Sequence, residues 1–111
     1  MKTIAAHITL FRPEEGGRER PISAVRDFSC PVYFQDIPEL GRHAYDCRLL
    51  LRGRGKEIAP GESADDVEIA FLSPDDVLPH IRVGSRFELW ESKIIGTATV
   101  THMPRQSFGC R

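Results

Sequence analysis

No stretch of ten or more residues in this chain carries a 3.6-residue apolar period. The apolar residues alternate instead over short runs, each closed by glycine, proline or a charged cluster. Alternation with period 2 marks half-buried strands, because successive side chains leave opposite faces of the backbone. Short strands separated by turn signals must bury their apolar faces against one another. Five to seven of them predict a small antiparallel barrel or sandwich.

In chain order, Ile4 to Phe11 places Ala6, Ile8 and Leu10 on one face and His7, Thr9 and Phe11 on the other. Arg12-Pro13 stops that strand. The loop Glu14-Glu15-Gly16-Gly17-Arg18 follows, closed by Pro21. Two adjacent glycines let the backbone take positive φ or lie against another chain segment. Arg20 to Ser29 has no period and reads as a loop that lays Ile22, Val25 and Phe28 across the open end of a core. Cys30-Pro31 leads into a strand over Val32-Tyr33-Phe34, with the proline at its start, where no ladder donor is required.

Asp36 to His43 is a connection. Ala44 to Arg52 is predicted as a strand, with Tyr45, Cys47, Leu49 and Leu51 on one face. Gly53-Arg54-Gly55-Lys56 is a basic turn, with Arg52, Arg54 and Lys56 as solvated cations. Pro60-Gly61 is a turn signal. Asp66 to Ser73 is the next strand, with Val67, Ile69 and Phe71 on one face. Pro74 to His80 connects it to a final hairpin, Arg86 to Trp90 and Ile94 to Thr101, turned by Glu91-Ser92-Lys93. The small residues of its second strand suit a place where backbones crowd. Residues 1–103 form one expected domain and 104–111 a flexible C-terminal tail.

The chain has 111 residues, enough for one domain that buries roughly two thirds of its unfolded surface. Its net charge of −1 gives no global field for nucleic acid or an anionic membrane. No apolar run approaches the ~20 residues of a membrane span, and Met1 to His7 lacks the apolar stretch of a secretory leader. Cys30, Cys47 and Cys110 are odd in number and share no CxxC spacing, so reduced thiols in the cytoplasm are expected.

A search for chemistry finds no GxxxxGK[ST] loop, no HExxH and no GxSxG. The Asp75-Asp76 pair sits in a turn, where adjacent side chains diverge. His7, His43, His80 and His102 are scattered, and no spacing brings His80, His102 and Cys110 together as metal ligands. No catalytic group, metal or cofactor is expected. A site assembled from His43, His80, Asp75 and Cys30 is the enzymatic alternative.

Five of these pieces, in order over residues 4 to 101, resemble the C-terminal β-barrel domain (the third domain) of elongation factor Tu and its relatives. That family carries a strand ending in Glu-Glu-Gly-Gly-Arg followed by proline, matched by Glu14, Glu15, Gly16, Gly17, Arg18 and Pro21. Its Phe-Tyr-Phe strand is matched by Val32, Tyr33 and Phe34, and its Met-Pro-Gly-Asp turn by Ala59, Pro60, Gly61 and Glu62. Its last hairpin is matched by Gly84, Arg86, Phe87, Leu89, Ile95, Gly96, Ala98 and Val100.

The resemblance implies an all-β fold, a six-stranded antiparallel barrel of the translation-factor C-terminal type. It does not imply GTP hydrolysis, which belongs to a separate domain, nor a nucleotide cofactor. In the family the glycine loop and the last hairpin turn face tRNA. Carried onto this chain, they imply a binding surface of Glu14, Glu15, Gly16, Gly17, Arg18, Arg20, Glu91, Ser92 and Lys93. Two departures turn the expectation from structured RNA toward a protein partner. Glu19-Arg20 stands where many members have His-Thr, putting an acid where a phosphate contact would lie. The turn Glu91-Ser92 is one residue shorter than the family's Glu-Gly-Gly. The expected function is a non-catalytic binding module without membrane attachment, or alternatively a structural subunit of a larger assembly.

Overall fold

The computed structural model describes residues 2–41 and 43–104. Six strands form a closed antiparallel barrel: β1 (Ile4–Leu10), β2 (Phe28–Tyr33), β3 (Tyr45–Leu49), β4 (Ser63–Phe71), β5 (Arg86–Trp90) and β6 (Ile94–His102). Their order around the barrel is β1-β4-β3-β2-β5-β6, and β1 closes on β6. Among the described residues closure gives every strand two neighbours, which limits the usual route to edge-to-edge association. Among the described residues no helix is long and apolar enough to cross a membrane. The tail expected over 104–111 lies, apart from Pro104, outside the described residues.

Alternation decides which side chains fill the barrel. On β1, Ile4, Ala6, Ile8 and Leu10 are buried while the residues between them are half-buried. Cys30 and Val32 of β2, Cys47 and Leu49 of β3, Val67, Ile69 and Phe71 of β4, Phe87 and Leu89 of β5, and Ile95, Ala98 and Val100 of β6 join them in the lining. Each large aliphatic or aromatic side chain taken from water contributes about 1.5–3 kcal/mol before entropy is counted. Where β2 and β4 end and β3 and β5 begin, Phe34 packs against Phe71 and Phe87 with ring centroids 6.0 and 5.0 Å apart. At the opposite end, Ile22 and Ile58 form an isolated antiparallel bridge and are both buried.

Five sequence expectations need correction. β2 begins at Phe28, so Pro31 is its fourth residue. It is tolerated there because β2 meets β5, among the described residues, only through Val32 opposite Leu89 and Tyr33 opposite Glu88. Carried one step back, that register sets Pro31 against Trp90, where β5 ends and the missing N–H has no ladder to complete. β3 stops at Leu49, and Leu51–Arg54 forms a single helical turn, α1, capped by Gly55 at φ 71°. Leu51 is still buried, so alternation ran correctly through a change of backbone that it does not register. Pro74–Val77 is likewise a helical turn, α2, with Val77 buried, followed by a 3-10 turn at Leu78–His80. Of the loop residues expected over the core, Ile22 is buried and Phe28 half-buried, but Val25 is 79% exposed.

β4 also starts earlier than alternation indicates, because it carries a bulge. Ala6 faces Val67 and Ile8 faces Ala64, so Asp65 and Asp66 together oppose His7. Asp66 takes φ 50°, which lets Ala64 and Val67, three positions apart, both point inward. The extra residue resets the alternation phase, and a period-2 pattern read back from Val67 therefore ends at the bulge.

Candidate functional site

The connection after β1 and the β5–β6 turn lie at the same barrel end, and the sequence explains how each is held. Pro13–Glu15 forms a 3-10 turn in which the Glu15 carboxylate accepts from the Arg12 backbone N–H at 2.8 Å. Gly16 follows at φ 91°, a left-handed geometry that costs other residues about 1–2 kcal/mol. Gly17 is buried for a different reason. A Cβ there would stand 2.2 Å from the Phe11 carbonyl oxygen, while its N–H donates to the Arg12 carbonyl at 3.0 Å. One glycine supplies the turn and the other the close approach.

That turn delivers Arg18 to the β5–β6 hairpin. Its Nη1 donates to Glu91 Oε1 at 2.5 Å, and its Nε donates to the Arg20 carbonyl at 3.1 Å. The guanidinium carbon lies 5.3 Å from the centroid of the Phe28 ring, within cation–π range. Arg18 thus spans the short β2–β5 seam, touching the first residue of β2 and the residue after β5. Its side chain is 20% exposed and that of Glu91 44%. The turn itself is tight: the Glu91 N–H donates to the Lys93 carbonyl at 2.7 Å, with Ser92 at φ 62°.

A shallow groove runs between the two loops, lined by Gly17, Arg18, Glu19, Arg20, Glu91 and Lys93, with Ile95 at its base. Of the nine surface residues expected from the sequence, five therefore border one depression: Gly17, Arg18, Arg20, Glu91 and Lys93. Glu14 and Glu15 lie on the 3-10 turn outside it, Glu15 occupied with Arg12. Gly16 and Ser92 serve the backbone rather than the groove. Arg18, expected on the binding surface, borders the groove but is drawn into the protein's own contacts. The exposed charges left on the groove are Glu19, Arg20 and Lys93.

The residues of the enzymatic alternative are dispersed. Cys30 points into the core from β2, His43 stands edge-on to Tyr45 with centroids 6.3 Å apart, Asp75 is on α2, and His80 is in the 3-10 turn after it. Cys110 lies outside the described residues. Of the basic cluster, Arg52 and Lys56 are exposed. Arg54 is half-buried, and its Nη1 has no hydrogen-bond partner among the described residues.

Sequence reading missed a polar row on the outer face of β1. His7 Nδ1 lies 2.6 Å from Asp65 Oδ1, His7 Nε2 lies 3.4 Å from Thr9 Oγ1, and Thr9 Oγ1 lies 2.8 Å from Ser63 Oγ. Asp66 accepts from Thr101 Oγ1 at 2.9 Å. Alternation had already put His7 and Thr9 on one outward face; only the bulge brings Asp65 and Ser63 to them.

No protein-family model matches the chain, and a search among curated proteins finds no match. Fold and surface define its class: a small closed six-stranded antiparallel barrel with two loops joined at one end.

Proposed function

We propose that this protein is a non-catalytic binding module. Its partner is another protein, met by the face that the 14–20 loop and the 91–93 turn share. The observation that carries this reading is the Arg18–Glu91 ion pair, which makes two distant loops one surface. The likeness to the third domain of elongation factor Tu supports the same location. The charge arrangement supports a protein rather than RNA. The arginine of the matched motif, Arg18, is already paired with Glu91, and Glu19, which stands where the likeness puts a phosphate contact, lies beside Arg20 on the same groove. Interleaved charges of both signs suit a complementary protein face better than a polyanion.

The test is capture from lysate with and without nuclease, comparing the native chain with an Arg20→Glu/Lys93→Glu variant. A partner retained after nuclease and lost with the double reversal supports the reading. Capture abolished by nuclease, or unaffected by the double reversal, sinks it. Light scattering on the purified protein separates this module from a subunit that self-assembles.

A further inference from the structure

Cys30 of β2 and Cys47 of β3 are directly opposed in the sheet register, and both face the barrel interior, at 3% and 0% exposure. Both are free thiols. Directly opposed residues of antiparallel strands have Cα atoms about 4.5 or 5.5 Å apart, according to the pair type, and both separations fall within the about 4.4–6.8 Å a disulfide spans. From this geometry we infer that Cys30 and Cys47 are a peroxide-oxidised modification site, closing to a cross-strand disulfide inside the barrel.

The two thiols are not equivalent. Cys47 is held as the neutral thiol, chiefly by its hydrogen bond with Cys30 and then by burial, which push it well above the ordinary value of 9.0. Cys30 is the residue that reacts first. It lies on the strand with the shortest pairing, beside the seam where β2 and β5 meet only at Val32–Leu89 and Tyr33–Glu88 among the described residues. A small oxidant is required at a position this enclosed, which favours hydrogen peroxide over a bulky disulfide.

In the first step the Cys30 sulfur attacks one peroxide oxygen. The O–O bond breaks, Cys30 becomes a sulfenic acid, and the second oxygen leaves as water with the thiol proton. In the second step the Cys47 sulfur attacks the Cys30 sulfur. The S–O bond breaks, the S–S bond forms, and the hydroxyl leaves as water with the Cys47 proton. Two thiols and one peroxide give one disulfide and two waters. The reaction removes the Cys30 thiol whose hydrogen bond was the main reason that Cys47 kept its proton.

The experiment uses the full chain carrying Cys110→Ser, so that the third cysteine does not compete. Native protein is treated with hydrogen peroxide, free thiols are counted, and peptides are mapped by mass. The expected result is loss of both thiols together, a Cys30–Cys47 linked peptide, and a thermal midpoint that rises on oxidation and returns on reduction. Adding Cys47→Ser strands the intermediate, and dimedone labels Cys30 when the peroxide-treated protein is unfolded in its presence. Both thiols staying free in the folded protein would overturn the inference. So would advance of Cys30 to the sulfinic acid while Cys47 stays a thiol in the Cys110→Ser chain.

Discussion

Arg18 Nη1 donates to Glu91 Oε1 at 2.5 Å across 73 positions of chain, and the same guanidinium lies over the Phe28 ring. The pair ties the connection after β1 to the β5–β6 turn at the place where the barrel wall has its shortest strand pairing. It is therefore a closure of the fold as well as the hinge point of the proposed binding face.

Arg18→Ala removes an ion pair, a backbone hydrogen bond and the packing of a mostly buried stem. It lowers stability by about 1–2 kcal/mol, read as a shift of the urea midpoint. Glu91→Ala costs less, because its side chain is 44% exposed. A double-mutant cycle on the two positions gives a coupling of about 0.5–1 kcal/mol. Arg18→Lys recovers only part of the loss, since an ammonium cannot reach Glu91 and the Arg20 carbonyl with a planar fork.

The two loop glycines and the helical-turn glycine separate three physical effects. Gly17→Ala drives a methyl into the Phe11 carbonyl and destabilises by about 2–3 kcal/mol. Gly16→Ala meets no atom within 4 Å but must hold φ 91°, and costs about 1–2 kcal/mol. Gly53→Ala meets nothing and needs no positive φ, so it stabilises by about 0.4–1 kcal/mol. Thermal midpoints in that rank order check all three.

Asp66 occupies the left-handed region at φ 50° and accepts the Thr101 hydroxyl. Asp66→Asn keeps a residue at home in that conformation and changes stability by less than about 0.5 kcal/mol. Asp66→Val places a β-branched side chain there and deletes the acceptor, costing about 2 kcal/mol or more. Equal midpoints for the two variants would show that the bulge is held by neither effect.

Cys47 carries an alkaline signature. Its folded pKa stands well above the 9.0 of the unfolded thiol, so above that pH the native state binds more protons than the unfolded state. Stability therefore falls as pH rises from about 9, with the contribution intact below it. Cys47→Ala removes that slope, and unfolding at pH 8, 9 and 10 measures it.

The glycine turn after β1 and the final hairpin were legible because local rules specify them. Paired glycines after a strand, a Pro-Gly step, and the alternation of Arg86–Trp90 and Ile94–Thr101 each need only near neighbours to act. Less was legible wherever the partner lies far along the chain. The sequence marks His7 and Thr9 as outward but is silent on Asp65, because the β4 bulge is set by strand register. It marks Arg18 as charged but not as consumed by Glu91, because that depends on barrel closure.

Alternating apolar residues and turn chemistry by themselves determined an antiparallel all-β fold of five to seven short strands, barrel or sandwich, since a period-2 face is hidden only against other strands; that six strands close into a barrel is what the structure shows. Only the tertiary structure decided that β2 meets β5 over two residue pairs, that Arg18 closes the gap, and that Cys30 faces Cys47. Each of these is a contact between residues distant in sequence, fixed by how the sheet closes on itself rather than by any local preference.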